Sequence, residues 1–211
     1  MNPHRTIALR YGRSQLPFTV ADHADLLDIK EPPHTVSKET FIEGLHRLLP
    51  SVMPTGPVAI VVADKTRLCG YPQVLPWLTT ALHDRGVDHA QLTFFIAYGT
   101  HARQSDAESQ AAYGSTYIEY PFVHHTSTTP TSFTELGRTR RGTPVRVRSD
   151  LLAAGLIITV GAISHHYFAG FGGGRKLLFP GLGEQEAIYT NHRLFLDTTR
   201  RTLSPGCRPG Q

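Results

Sequence analysis

The chain has almost no cysteine. Cys69 and Cys207 are the two in 211 residues, too few for a disulfide framework, so a cross-linked secreted scaffold is excluded and a reducing compartment is expected. No apolar run approaches the roughly 20 residues that span a bilayer, and the opening Met1-Asn-Pro-His-Arg-Thr6 has no signal-peptide apolar core. A cytoplasmic location with no membrane partner is the resulting expectation. Charge of one sign is lacking too: 21 Lys and Arg face 17 Asp and Glu, a net +4. The arginines that do gather are Arg138, Arg140, Arg141, Arg146 and Arg148, and further on Arg193, Arg200, Arg201 and Arg208. No aromatic ladder accompanies them, so they read as a solvated basic face and no nucleic-acid partner is expected. Apolar residues, at 40%, are in ordinary supply for a soluble domain with one sizeable core.

Histidine is abundant, at 12 residues. His4, His23, His34, His46, His83 and His89 stand in no motif and read as surface residues. The others lie near stretches with more information, above all residues 163–180, Ile-Ser-His-His-Tyr-Phe-Ala-Gly-Phe-Gly-Gly-Gly-Arg-Lys-Leu-Leu-Phe-Pro. Residues 156–162 before it form an apolar, β-branched run that reads as a buried strand, so His165 and His166 sit where a strand ends. Gly170, Gly172, Gly173 and Gly174 allow tight turns or close backbone approach, and Arg175 and Lys176 add positive charge. A Walker loop would need Ser or Thr after Gly-Lys, and a dinucleotide loop would need glycine at 175; neither is present. What remains is a glycine-rich turn suited to an anionic or nucleotide-like ligand, a reading preferred to a plain surface turn.

Taken in order, residues 6–11 and 16–20 read as strands around Gly12-Arg13-Ser14, followed by an irregular segment to Pro32-Pro33. Ser37 offers an N-cap to a helix whose Phe41, Ile42, Leu45, Leu48 and Leu49 share one face before Pro50. Three strand-helix units follow. Residues 58–63 end in Asp64-Lys-Thr-Arg67, with a helix over 72–83 stopped near Gly86. Residues 92–98 end in Gly99-Thr-His101, with a helix over 105–113. Residues 156–162 end in Ser164-His-His166. Strands buried on both faces and separated by helices predict an α/β fold, a Rossmann-like and mainly parallel sheet with flanking helices. In such sheets ligands bind beyond the carboxyl ends of the strands, so Asp64, Arg67, His101, His165 and His166 point to one shared site. Residues 120–123 read as a short strand ending in His124-His125, and Gly137 and Gly142 as turns of a hairpin-like excursion. Residues 184–196 have helical character. There His192, one turn from Ile188, either reaches back toward Lys176 or is a satisfied helix histidine, the second being slightly favoured. For Cys69, packing is preferred to chemistry.

Asp64-Lys-Thr-Arg67, Gly99-Thr-His101, the run from His166 through Gly172-Gly-Gly-Arg-Lys176, and Asn191-His192, in that order and spacing, resemble the amino-terminal domain of the nickel-pincer lactate racemases, the wider 2-hydroxyacid racemase and epimerase family. The resemblance covers about residue 6 to about 197. It implies a nickel-pincer nucleotide as cofactor, a pyridinium-3,5-bisthiocarboxylate mononucleotide holding nickel, with His192 as its protein ligand. Lys176 matches the lysine that can carry the cofactor through a thioamide, and Gly172, Gly173, Gly174 and Arg175 would lie against the nucleotide. His101 and His166 would be the two bases of a reversible hydride-transfer racemisation, Arg67 the holder of the substrate carboxylate, and Asp64 a residue orienting Arg67 or a cofactor group.

Some positions depart from the family pattern. His165 stands where proline is common, Gly172 where serine is, and Ala102 where arginine often follows Gly-Thr-His, which leaves the identity of the small 2-hydroxy acid substrate open. Family enzymes are longer, with a second, carboxy-terminal domain. The expectation is therefore a lactate-racemase-like cofactor-binding domain over residues 1–197 and a disordered tail over 198–211. The carboxy-terminal domain would be absent or supplied by a separate chain, and the reading frame truncated or split. The competing readings are a non-catalytic binder of a nucleotide-like ligand, or relic, and a hydrolase with His101, His166 and His192 around zinc, for which no compact ligand motif speaks.

Overall fold

In the computed structural model, residues 4–27, 35–129, 131–166 and 170–196 are described; the expectations for His34, for residues 167–169, for Cys207 and for the tail over 198–211 lie outside them. The chain divides into two compact units, residues 1–36 and 37–211. In the first, β1 (His4–Tyr11) and β2 (Ser14–Ala21) form an antiparallel hairpin with Ile7 opposite Phe18 and Leu9 opposite Leu16. Alternation along the strands places these four apolar side chains on one face.

The second unit opens with α1 (Lys38–Leu48), whose N-cap Ser37 accepts the Thr40 N–H at 3.2 Å. Leu45 is buried and Phe41 stacks obliquely on Trp77, but Leu48, the last helical residue, is 85% exposed and does not join that face. There follow β3 (Val58–Ala63), α2 (Tyr71–Asp84), β4 (Leu92–Ala97), α3 (Asp106–Tyr113), α4 (Thr116–Glu119) and β5 (Phe122–His124). The hairpin of β6 (Phe133–Arg138) and β7 (Pro144–Arg148) precedes β8 (Leu156–Val160), the two-residue strands β9 (His165–His166) and β10 (Gly170–Phe171), and α5 (Gln185–Arg193). The expected third strand is thus shorter than its apolar run, and His124 lies inside β5 rather than beyond it.

The central sheet has the order β5-β4-β3-β8, and every neighbouring pair is parallel. All six residues of β3 are buried, each valine and isoleucine contributing roughly 1.5–3 kcal/mol when fully removed from water, which makes β3 the fixed reference of the fold. β8 is half-buried throughout, against the expectation of burial on both faces, because it is an edge strand with one neighbour. The chain lays β3, β4 and β5 outward to one side and then returns to place β8 on the other side of β3. The strand order therefore reverses between β3 and β8, the position where such sheets open a crevice beyond the carboxyl ends.

The arginine cluster is a solvated face only in part: Arg138, Arg140 and Arg141 are exposed, but Arg146 and Arg148 are drawn in. Arg146 pairs with Glu135 at 2.9 Å and Glu184 at 2.8 Å, and Arg138 with Glu135. Arg148 is buried, donates twice to Asp150 at 2.6 Å and lies over the Phe95 ring. Nearby Asp150 and Glu135, together with the distant Glu184, pair with these arginines. His83 and His89 also gain partners: His83 bonds the Tyr120 hydroxyl at 2.8 Å and the Val87 carbonyl at 2.7 Å, and His89 stacks on Tyr120. Among the described residues, no helix is long and apolar enough to cross a membrane.

Candidate functional site

β3 delivers Asp64 at its carboxyl end, 3% exposed. Its Oδ1 accepts the Thr66 N–H at 2.8 Å and the Thr66 hydroxyl at 2.6 Å, and its Oδ2 lies 2.6 Å from His101 Nδ1. The carboxylate can only accept, so Nδ1 carries the proton and the lone pair of His101 sits on Nε2. His101 itself is more than half exposed. It stands on the loop after β4, closed by its N–H bond to the Tyr98 carbonyl at 3.0 Å. Asp64 thus orients His101 directly. Its backbone carbonyl accepts the Arg67 N–H at 3.0 Å, while the Arg67 guanidinium is held through Thr66, whose carbonyl and hydroxyl accept from Arg67 Nη1 at 3.0 and 3.2 Å.

The edge strand β8 leads to β9, and there His166 is half-buried. Burial pushes its imidazole below the ordinary histidine range, and the charges of Lys176, Arg67, His165 and His192 push it further. Lys176, half-buried in the 3₁₀ turn Gly174–Leu177, is lowered by burial and then by Arg67. His192, on α5, is lowered by burial and then by Lys176. The charge of Lys176 thus bears on both His166 and His192, and that of Arg67 on His166 and Lys176, which links Arg67 to this group as well as to the Asp64-Thr66-His101 group. The influence of the Lys176 charge on His192 is in keeping with the alternative less favoured from the helix pattern alone.

The turn that bears Lys176 is wedged against the ends of β8 and β4. Gly172 N–H donates to Ser164 O at 2.8 Å. Gly173 has φ +78°, and a Cβ there would stand 2.4 Å from the Ala162 carbonyl oxygen, so only glycine fits. On the far side, a Cβ on Gly181 would stand 2.3 Å from Leu177 O and 2.9 Å from Ala97 Cβ, and the Gly181 carbonyl accepts the Gly99 N–H at 2.8 Å. Gly174 and Arg175 are exposed. His165 is exposed and meets the Phe171 ring edge-on at 6.0 Å.

Several residues that sequence reasoning did not single out support these loops. Gln104, 1% exposed, accepts the Lys65 N–H at 2.9 Å and donates to Ser109 Oγ at 3.0 Å. The Tyr98 hydroxyl lies 2.9 Å from His124 Nδ1, His124 Nε2 lies 3.0 Å from the Tyr117 hydroxyl, and Tyr117 donates to Asp106 at 2.8 Å. Burial pushes the Tyr98 hydroxyl up to about 12 and lowers His124. His125 belongs elsewhere: it is buried against the Gly183 carbonyl at 3.1 Å and lowered to about 4 by burial and by Arg148. Cys69 is half-buried at the edge of the core, with its thiol pushed up by burial, in keeping with a packing role.

Two cavities of about 350 and 370 Å³ are lined by residues of the segment 127–133, by Arg148 and Asp150, and by residues 184–186; neither contains the strand-end cluster. Among the described residues no three His, Cys, Asp or Glu side chains converge as a metal ion would require, so His101, His166 and His192 do not assemble a three-histidine centre.

The profile of the lactate racemase N-terminal domain matches residues 11–204. A lactate racemase of Thermoanaerobacterium thermosaccharolyticum is 28% identical over 198 residues, 88% of this chain and 46% of that protein. The lactate racemase of Lactiplantibacillus plantarum is 30% identical over 136 residues, 64% of this chain and 32% of that one. Among solved structures, the Thermoanaerobacterium lactate racemase apoprotein superimposes with a TM-score of 0.71 at 26% identity, over 89% of this chain and 46% of its own. A Thermotoga maritima protein shares the fold with a TM-score of 0.63 at 23% identity, over 76% of this chain and 41% of its own. The chain thus spans less than half the length of these relatives.

Proposed function

Since the chain belongs to the lactate racemase N-terminal domain family, we propose that it is the cofactor- and substrate-binding portion of a racemase or epimerase of small 2-hydroxy acids. The observation that carries this reading is the sharing of Arg67 between two groups at the strand-order reversal, Asp64-Thr66-His101 on one side and His166-Lys176-His192 on the other. An α-hydroxy acid has a carboxylate to anchor and a hydroxyl proton to remove. Arg67, a forked donor with no ion pair among the described residues, holds the carboxylate. His101 takes the hydroxyl proton at Nε2, and Asp64 stabilises the imidazolium that forms. His166, kept neutral near physiological pH by burial and by its cationic neighbours, is the second base, so that the proton can be removed or returned on either face of the α-carbon.

The remaining residues suit the nickel-pincer nucleotide. A depressed lysine has a larger neutral fraction and can form an amide-type tether, and a depressed histidine offers the neutral imidazole that nickel accepts. One protein nitrogen suffices where the pincer supplies the other donors, which fits the dispersed histidines. When bound, this group supplies the hydride acceptor that the side chains lack. Gly172, Gly173, Gly174 and Arg175 line its nucleotide part. The rest of the site comes from residues beyond this span, in a carboxy-terminal domain or a separate chain, and His165 and Ala102 tune the choice of 2-hydroxy acid.

The test is the intact mass and nickel content of protein made in a host that synthesises the cofactor, with Lys176→Ala and His192→Ala beside it. Stoichiometric nickel that disappears in His192→Ala, with added mass that disappears in Lys176→Ala, supports the reading. A folded, nickel-free chain that still binds mononucleotides would replace it with a non-catalytic binder.

A further inference from the structure

Asp64 and His101 reside on different loops, after β3 and after β4, and no backbone hydrogen bond ties the first loop to the second among the described residues. The tie is one buried amide. Gln104 Oε1 accepts the N–H of Lys65, the peptide that follows Asp64, at 2.9 Å. Its own N–H points to the Tyr98 hydroxyl at 3.3 Å, while the Tyr98 carbonyl accepts the His101 N–H. Gln104 Nε2 donates to Ser109 Oγ at 3.0 Å, and Ser109 donates to the Ser105 carbonyl at 2.9 Å, which anchors the amide to the first turn of α3. A carboxylate could not donate to Ser109 and an apolar side chain could neither accept nor donate; an amide of this length, carried on the His101 loop, accepts from the Asp64 loop while donating to α3. The second link between these regions, Lys65 with Glu108, is an ion pair with both side chains 45% exposed, and such pairs hold geometry weakly.

We infer that Gln104 is the positioning residue of the Asp64-His101 couple: it sets the distance between the two loops and thereby the proton position on His101. The inference deepens the racemase reading, because it names what keeps the proposed base in its Nε2-acceptor form.

The experiment reads the histidine tautomer and needs neither cofactor nor turnover. The ¹⁵N-histidine-labelled chain is examined at pH 8 by long-range correlation from the carbon-bound ring protons, with Asp64→Asn as the reference for a broken couple. The wild-type chain shows Nδ1-protonated His101. Gln104→Met, which keeps volume and removes both bonds, shifts His101 to the mixed tautomer pattern of Asp64→Asn. Ser109→Ala, which cuts only the outer anchor, retains the wild-type pattern. If Gln104→Met fails to fold, Gln104→Asn, too short to reach Lys65, is read in its place and shows the same shift. A wild-type tautomer in the folded Gln104 variant, or an equal shift in Ser109→Ala, overturns the inference. A chain that passes this test yet binds no nickel leaves the positioning role standing and removes only the racemase reading.

Discussion

Asp64 Oδ2 and His101 Nδ1 stand 2.6 Å apart, joining the end of β3 to the loop after the neighbouring strand β4. The carboxylate is nearly inaccessible and the imidazole more than half exposed, so one partner is fixed and the other is presented. Asp64→Asn keeps the shape and removes the acceptor that selects Nδ1–H. On the proposed racemase reading, the expected outcome is a fall in 2-hydroxy acid racemisation by about 100-fold or more in cofactor-loaded protein, as when the orienting carboxylate of a histidine is lost elsewhere, with nickel content unchanged. Equal rates for Asp64→Asn and wild type would separate this couple from the chemistry.

His125 gives the fold an acid limit of its own. It is 3% exposed, its Nε2–H donates to the Gly183 carbonyl, and its Nδ1 has no hydrogen-bond partner. Burial and Arg148 lower it from 6.5 to about 4. The folded chain therefore binds fewer protons than the unfolded chain between those values, and stability is intact above about pH 6.5 and lost as pH falls toward 4. The full loss is on the order of 3 kcal/mol. Urea titrations between pH 7 and 4 measure it, and His125→Leu, though less stable at pH 7, is expected to show a flatter pH dependence over that window.

The parallel sheet was legible because β3 and β4 are short, largely apolar runs, and Ser37 marks the start of its helix by local chemistry that needs no partner. The strand ends were legible for the same reason: Asp64, His101 and His166 follow such runs directly. Arg148 misled because its burial rests on the Phe95 ring, 53 positions away, and a basic residue two positions from Asp150 reads as an ordinary solvated pair until that ring covers it. Gln104 was invisible for a related reason. An amide before a helix cap is an ordinary surface residue until two loops close around it, and nothing in its neighbours Arg103 and Ser105 signals burial. His192 lay between these cases: its place on α5 could be read, its approach to Lys176 could not.

Gly173 and Gly181 flank the Lys176 turn with no room for a methyl group: a Cβ on Gly173 would stand 2.4 Å from Ala162 O and one on Gly181 2.3 Å from Leu177 O. Both obstacles are backbone atoms, so neither can rotate aside. Gly173→Ala adds the strain of φ +78° and is expected to cost about 1–3 kcal/mol in chemical denaturation, together with nickel retention. Gly174→Ala, with φ +52° but open space around its Cβ, is the control. Its cost should be the smaller of the two, since it carries backbone strain without a clash.

The depressed basicity of His166 and His192 has a shared, removable cause in Lys176, which ranks directly after burial for both. Lys176→Met leaves burial in place and deletes the positive charge, so protonating either imidazole becomes easier and both titrate at higher pH than in wild type. Arg67→Gln separates the two: Arg67 acts on His166 and on Lys176 but is not among the causes for His192, so His166 rises while His192 stays near its wild-type value. Titration of the C2-proton resonances in the metal-free chain follows both groups at once. Unmoved curves in Lys176→Met would mean that Lys176 does not share the crevice with the two histidines, and the assignment of His192 and Lys176 to one cofactor would fall with it.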